Sequence, residues 1–541
     1  MRTSDYIIFV SIPETPASYL IHGYTGAVDK VSPEIVGYLL KRLTVVPDSN
    51  SEDVKIAASH LAGLDLADPQ PATIEGLAER GYLTAKTSEE ERAFVTKLSQ
   101  RLHQRWLAHC GPGFLLIPTY DCNMRCPYCY ASEPRDAHTR TGEGHAVMSF
   151  ETADAAFRVM DELRAAAAKN RPDKPAEAAP EAAKADSTAE PAAPSCTKEP
   201  NITFLGGEPL MESTLPVIEY AIPKARERGY TLNAITNGVE LNLFERDLGP
   251  DGISWIQVTL DGPPDVHDRT RIGPKYRQGT YERILSNMTL AMEKGTHVHV
   301  RVHGNAKTAS RLYEVFEDLD RRGFLKEEQF SIYVETTHSW DRGLLKPTYP
   351  DIALVDLLDQ ARPAFRQPIT KGRGLLPTYR VPGKLKAYLE HGLAGLIRTM
   401  EFCDANGSMY IFDLQGDIYP CWDVTGLKQH AIGRYGAEGH RLFDCRQQWI
   451  DRCPAVVPKC QGCKYVFFHF SGCRAIPLRT GQGLQDPACY EWEDVFLHES
   501  REFFRRRPNG VAPDAESNDP MSAVPVPSGI PEEAERLVPA C

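Results

Sequence analysis

Thr119-Tyr-Asp-Cys122-Asn-Met-Arg-Cys126-Pro-Tyr-Cys129 decides how this chain is read. Its cysteines follow the spacing C-x3-C-x2-C. The run comes directly after Phe114-Leu-Leu-Ile-Pro, an apolar stretch that reads as a strand ending in a loop. Three thiolates on one short loop can hold three irons of a [4Fe–4S] cluster. The fourth iron is then left for a substrate or cofactor. Zinc is the competing reading, but zinc sites usually come as two C-x2-C-like pairs that close four-coordinate. This triplet has no fourth Cys or His beside it.

The chain is 541 residues long, which implies two to four domains. Hydrophobic content of 42% and charged content of 25% are those of a globular protein. No apolar run is long enough to cross a bilayer, and Met-Arg-Thr-Ser-Asp-Tyr lacks the pattern of a secretion signal. The expected location is the cytoplasm. A net charge of −12 argues against general nucleic-acid binding. Of 14 cysteines, three lie at 122–129 and eight between Cys403 and Cys489. Cytosolic thiols stay reduced, so two dense groups point to metal rather than to a disulfide framework. Cys110, Cys196 and Cys541 stand apart and read as incidental.

Residues 1–110 read as a separate module. Tyr6-Ile-Ile-Phe-Val and Ser18-Tyr-Leu-Ile-His are short strands, Ser32-Pro33 opens a helix, and Thr73–Arg80 is a second helix that gives way to Tyr82-Leu-Thr. This order suggests a winged-helix-like unit. Ser88-Glu-Glu-Glu91 has the form of a capping box that opens a helix to about Leu107.

Residues 111–345 alternate strand and helix. The strands are Phe114–Pro118, Ile202–Leu205, Thr231–Thr236, Trp255–Leu260, His297–His303 and Phe330–Val334. The helices between them are Phe150–Leu163, Thr214–Arg228, Tyr281–Lys294 and Ser310–Arg322. Six βα units imply an α/β fold, a partial (βα)6 barrel with function at the C-terminal strand ends. The Ala/Pro/Glu/Lys-rich stretch 165–200 reads as a disordered insertion, and the tail 507–541 likewise. Residues 346–400 form a connecting region that says little.

Motifs recur where strands end. Phe204-Leu-Gly206-Gly207-Glu208-Pro209 follows the second strand, Ile235-Thr236-Asn237-Gly238 the third, and Gln257-Val-Thr259-Leu-Asp261-Gly262-Pro263 the fourth. Paired glycines let backbone groups approach closely. With the cysteine triplet, these segments resemble the radical S-adenosylmethionine (SAM) superfamily, specifically its members that act on peptides and proteins. The resemblance implies a cluster on Cys122, Cys126 and Cys129 whose open iron chelates SAM. It places Gly206, Gly207 and Glu208 at the SAM amino group, and Asn237 and Thr259 near its ribose or methionine moiety. It also sets Tyr128 against adenine. Arg301, on the fifth strand, suits the SAM carboxylate because a guanidinium pairs bidentately with it, with a surface arginine in an ion pair as the alternative.

The second cysteine group, at 401–495, reads Cys403-x12-Gly416-x4-Cys421, then Cys460-x2-Cys463-x5-His469-x3-Cys473, then Cys489. It is similar to the SPASM extension, which carries two auxiliary iron–sulfur clusters. The resemblance gives one cluster Cys403, Cys421 and Cys473, and the other Cys460, Cys463 and Cys489 with His469 as fourth ligand or none. Histidine stands where the family usually has cysteine, and no further cysteine is found near Ile397. Cys445 and Cys453 are extra thiols able to complete a site. Zinc is the competing metal here as well. Asp423, just after Cys421, is the candidate general base, with a plain surface carboxylate as the alternative. His267, His299 and His303 read as structural.

The N-terminal module looks like the leader-binding winged helix of peptide maturases, which adds a leader peptide as a strand to its sheet edge. The implied function is a radical SAM maturase that crosslinks a ribosomally made precursor peptide. A thioether comes first, then a carbon–carbon or ether link. Flavodoxin or ferredoxin is the expected reductant, with no membrane or nucleic-acid partner. The alternatives are a sulfatase-type formylglycine maturase, a peptide epimerase, or a non-catalytic iron–sulfur or zinc-binding interaction protein.

Overall fold

Short apolar runs flanked by turn residues build the sheets. The computed structural model describes residues 1–15, 18–43, 52–129, 131–140, 146–169, 200–305, 308–336, 338–341, 344–347, 402–489 and 492–506. The N-terminal module contains β1 (Arg2–Thr3), β2 (Ile7–Ser11), β3 (Ser18–His22), β4 (Val28–Val31), α1 (Pro33–Leu40), α2 (Glu52–Ser59), α3 (Pro71–Glu79), β5 (Leu83–Thr84) and α4 (Ser88–His109). Strands β2, β3 and β4 form one antiparallel sheet in that order, and β1 pairs with β5. The sequence missed β4, whose Asp29 and Lys30 break its apolar run, and α2. It also set the capping box one residue late. The cap of α4 is Thr87, whose hydroxyl accepts from Glu90 N at 3.2 Å while Glu90 accepts from Thr87 N at 2.8 Å.

The next region holds β6 (Gly113–Ile117), α5 (Ser132–Arg140), α6 (Phe150–Lys169), β7 (Asn201–Phe204), α7 (Leu215–Glu227), β8 (Thr231–Thr236) and β9 (Ile253–Leu260). It continues through α8 (Pro264–Thr270), α9 (Tyr281–Glu293), β10 (His297–Gly304), α10 (Leu312–Arg321) and β11 (Phe330–Thr336). Strands β6 to β11 are parallel neighbours in chain order, each buried mainly through Val, Ile, Leu and Phe, as parallel strands under helices should be. All six expected strands are present within two residues of their expected ends. Helix α6 runs on to Lys169, so 165–169 are helical rather than part of an insertion. Residues 170–199 and 507–541, and the connecting region from 348 to 401, lie outside the described residues. A small hairpin, β12 (His338–Asp341) with β13 (Leu344–Pro347), follows β11.

The C-terminal region contains β14 (Met409–Asp413), β15 (Asp417–Tyr419), β16 (Gly433–Gly436), β17 (Gly439–Leu442), α11 (Cys445–Asp451), α12 (Val466–His469), α13 (Ala475–Arg479) and α14 (Trp492–Arg506). It is not a detached appendage. Strand β14 pairs in parallel with β6, Met409 opposite Gly113 and Asp413 opposite Ile117. The result is one open ten-stranded sheet, ordered β11-β10-β9-β8-β7-β6-β14-β15-β16-β17. The free edge of the first barrel strand is thereby paired rather than exposed.

The N-terminal module is likewise packed on the C-terminal region. Tyr6, Ile8, Val10, Tyr19 and Ile21 share a buried core with Cys460, Phe467, Phe468, Val495 and Phe496. Tyr19 stacks on Phe504 with ring centroids 4.0 Å apart, and Lys464 pairs with the buried Asp53 at 2.6 Å. Among the described residues, no helix is long and apolar enough to cross a membrane.

Candidate active site

The cysteine loop starts where β6 ends. Buried Thr119 ties the loop to the chain ahead of α6 by donating to Ala146 O at 2.7 Å. Asp121 Oδ1 accepts from Cys122 N at 2.8 Å, and Cys129 N bonds to Cys126 O at 3.2 Å. These local bonds fold the loop so that Cys122, Cys126 and Cys129 lie within electrostatic range of one another. Burial pushes the Cys122 thiol up to about 12, and Glu208 adds to the effect. Burial raises Cys126 as well, opposed by Arg271. Thiols in such surroundings ionise only beside a strong cation.

The glycine pair packs tightly against the chain before the first cysteine. A Cβ on Gly207 would stand 2.1 Å from Asp121 O, and one on Gly206 would stand 2.4 Å from Thr119 O. The bare backbone approaches the cysteine loop itself, with Gly207 N on Thr119 O at 3.1 Å and Glu208 N on Asp121 O at 2.8 Å. Glu208 is buried and spans two strand ends. Oε1 accepts from Leu210 N at 2.8 Å and Thr236 Oγ1 at 2.6 Å, and Oε2 accepts from Asn237 N at 2.6 Å. Asn237 Nδ2 in turn donates to Asn123 Oδ1 at 2.7 Å and lies 3.9 Å from Cys122 Sγ. The motifs at the ends of β6, β7 and β8 thus converge on the first cysteine.

On the fourth and fifth strands, Arg301 Nη2 donates to Thr259 Oγ1 at 3.2 Å. Arg301 Nε is sealed from solvent with no hydrogen-bond partner. Asp423 sits within electrostatic range of this arginine. Burial pushes its carboxyl up to about 6, against the pull of Arg479 and Arg301. Arg479 also donates to Asp423 O at 3.1 Å and pairs with Glu133 at 3.1 Å.

Tyr128 is held by its hydroxyl. It donates to Asp261 Oδ2 at 2.6 Å, accepts from Arg271 Nη1 at 3.1 Å, and meets His303 edge-on at 5.2 Å. Asp261 Oδ1 faces His303 Nδ1 at 2.9 Å. Against the cost of burial, His303 and Arg271 hold the Asp261 carboxyl well below the usual range. His267 Nδ1 accepts from Asp261 N at 3.2 Å, so His267 and His303 both belong to this hydrogen-bonded network. The sequence reading passed over Arg271. Its one signal is a buried cation four residues after His267, which only the fold brings to Tyr128.

The second cysteine group resolves into two sets. Cys421 and Cys473 interact with each other and with Cys403, and burial raises both thiols, Cys473 to about 12. Cys463 interacts with Cys460 and Cys489, and burial pushes it up to about 12. His469 is buried with its ring stacked on Trp492 at 4.6 Å and edge-on to Phe402 at 6.0 Å. Cys445 is exposed and Cys453 buried. Among the described residues, no group of three or more His, Cys, Asp or Glu side chains stands close enough together to hold a single metal ion.

No protein-family model matches the chain, and no curated protein is similar to it. Among solved structures, native anSMEcpe with bound AdoMet is 15% identical and superposes with a TM-score of 0.50, over 73% of this chain and 98% of that one. A histidine-tagged form of anSMEcpe with bound AdoMet gives the same identity and TM-score over 73% and 94%. SuiB of Streptococcus suis is 14% identical, with a TM-score of 0.44 over 90% of this chain and 98% of that one. The chain has the fold of the radical SAM/SPASM peptide maturases. The loop after β6, the Gly-Gly-Glu turn after β7 and the later parts of β9 and β10 lie toward the C-terminal ends of parallel strands in one sheet, which brings Cys122, Glu208, Thr259 and Arg301 toward one end of it.

Proposed function

We propose that this chain is a radical SAM peptide maturase that crosslinks a ribosomally made precursor peptide. The carrying observation is a loop that brings three half-buried thiols together at the C-terminal strand ends, the same end at which Arg301 keeps a guanidinium nitrogen sealed without a partner. These residues fit the implied groups. Cys122, Cys126 and Cys129 would hold a [4Fe–4S] cluster, and Arg301 would receive the SAM carboxylate. When bound, the cluster and SAM supply a 5′-deoxyadenosyl radical.

The chain's own residues do the rest. The Gly206-Gly207 turn and Glu208 fix the cysteine loop against the second and third strands. Thr259 orients Arg301. Asp423, with its raised carboxyl between Arg301 and the first auxiliary set, takes a proton from the substrate. Cys403, Cys421 and Cys473 would hold one auxiliary cluster. Cys460, Cys463 and Cys489 would hold the other, with His469, Cys445 or Cys453 completing a site. A cluster held by three thiolates leaves an iron for a substrate thiolate, which favours a thioether over a carbon–carbon or ether link. Flavodoxin or ferredoxin serves as reductant.

The N-terminal module is the leader-binding unit in this reading. Its β4 is the edge of the three-stranded sheet, while α2 and α14 pack at β2 on the other side. A cavity of about 810 Å³, lined by Ile12, Tyr19, Lys30, Val31, Pro33 and Phe504, opens beside that edge. An extended peptide can add there as a strand and place an apolar side chain in the cavity. Such a module favours a leader-directed crosslink over formylglycine formation.

Co-expression with candidate precursor peptides encoded near the gene, followed by mass spectrometry, tests the reading. A loss of two hydrogens per modification supports a crosslink. Unchanged mass with deuterium gained in heavy water supports epimerisation instead.

A further inference from the structure

Two large cations are buried between the auxiliary cysteine sets. Arg452 is 0% exposed and Arg474 is 1% exposed. Arg452 donates to four carbonyl oxygens: Leu484 at 2.5 Å, Asp486 at 2.8 Å, Ser471 at 3.1 Å and Gly472 at 3.3 Å. Arg474 Nη2 donates to Arg452 O at 2.7 Å. Among the described residues, no carboxylate pairs with Arg452.

A sealed guanidinium with only carbonyl partners is costly, because neutral dipoles do not repay the loss of hydration around a full charge. A second buried guanidinium nearby adds repulsion. The backbone that Arg452 grips is itself unusual. Phe470 and Ser471 have φ of 51° and 68°, a left-handed conformation that side-chain-bearing residues avoid. An apolar residue and a relaxed turn would serve stability better, so something anionic must offset the charge.

Thiolates holding a cluster would supply it. Arg452 lies within electrostatic range of Cys403 and Cys473 from one set, and of Cys460 and Cys489 from the other. Its carbonyl partners Gly472 and Asp486 lead into Cys473 and Cys489. We infer that Arg452 is a positioning residue shared by the two auxiliary clusters, a fixed positive charge between them that makes both easier to reduce. The inference rests on the iron–sulfur reading above. The physical basis is that net charge and hydrogen bonding around a cluster set its potential.

The test uses the full chain carrying alanine at 122, 126 and 129, so that only auxiliary clusters report. Iron content and EPR-monitored redox titrations are compared for this parent, Arg452→Gln and Arg452→Lys. Loss of the charge in Arg452→Gln should move both midpoints at least about 59 mV more negative, a tenfold change in the ratio of reduced to oxidised cluster. Arg452→Lys keeps the charge but not the four-carbonyl grip, and should stay within about a third of that shift. An unshifted Gln variant, or a Lys variant shifted as far as the Gln one, overturns the inference. If the Gln variant loses its iron, retention by the Lys variant still supports the charge, whereas loss from both overturns it. A parent without iron at these cysteines overturns the cluster reading itself, and this inference with it. That result is distinct from iron without a shift.

Discussion

Arg301 gives one nitrogen to Thr259 Oγ1 at 3.2 Å and keeps another, Nε, buried with no partner. A sealed donor is costly to leave unmade, and a carboxylate ligand would satisfy it. Arg301→Met should therefore weaken SAM binding between about tenfold and about a hundredfold, the span of a charge-assisted hydrogen bond. Equilibrium dialysis with labelled SAM checks this. Unchanged affinity would remove Arg301 from the binding site.

The contact of Gly207 with the cysteine loop gives a second expectation. Gly207→Ala puts a methyl group 2.1 Å from Asp121 O, so the loop must move. Overpacking of this kind costs about 1–3 kcal/mol. Iron bound by the first triplet should fall along with stability. Full iron occupancy in the variant would show that the loop tolerates the displacement.

Asp423→Asn separates proton transfer from radical generation. General-base catalysis contributes about 10²–10⁴-fold. The variant should release 5′-deoxyadenosine at close to the normal rate while forming product at least about a hundredfold more slowly. Equal losses in both would make Asp423 a structural residue.

Asp413 supplies a pH dependence away from the proposed cluster ligands. Burial pushes its carboxyl from 3.8 to about 6, and Asp417 adds to the rise, although Tyr120 Oη donates to it at 2.8 Å. The folded state holds this proton more tightly than the unfolded chain does. Its contribution to stability is therefore full below about pH 4 and is lost as pH rises through about 6, a swing of about 3 kcal/mol. Asp413→Asn mimics the protonated form and should flatten that part of the urea-denaturation profile. A variant that keeps the wild-type slope would assign the dependence to another group.

The fold was legible where the signal is local. Phe114–Pro118 and Thr231–Thr236 announce themselves as apolar or alternating runs, and β8 matches its expected ends. The cysteine triplet was legible because loop spacing alone brings thiols together. Long-range pairing was not. Nothing local in Met409–Asp413 says that it will lie beside Gly113–Ile117, far earlier in the chain, and merge the two regions into one sheet. The role of Gly206-Gly207 depends on which backbone comes near, and the fate of the Tyr128 hydroxyl depends on Asp261 and Arg271 arriving from elsewhere. Arg452 carries no local signal, and only the fold encloses it.

The most direct test of the account is metal and nucleoside analysis of anaerobically purified chain beside a variant with Cys122, Cys126 and Cys129 changed to alanine. The account predicts that the variant loses about four irons per chain and, on reduction with SAM, releases no 5′-deoxyadenosine. Zinc in place of iron at that triplet, or undiminished 5′-deoxyadenosine from the variant, would contradict it.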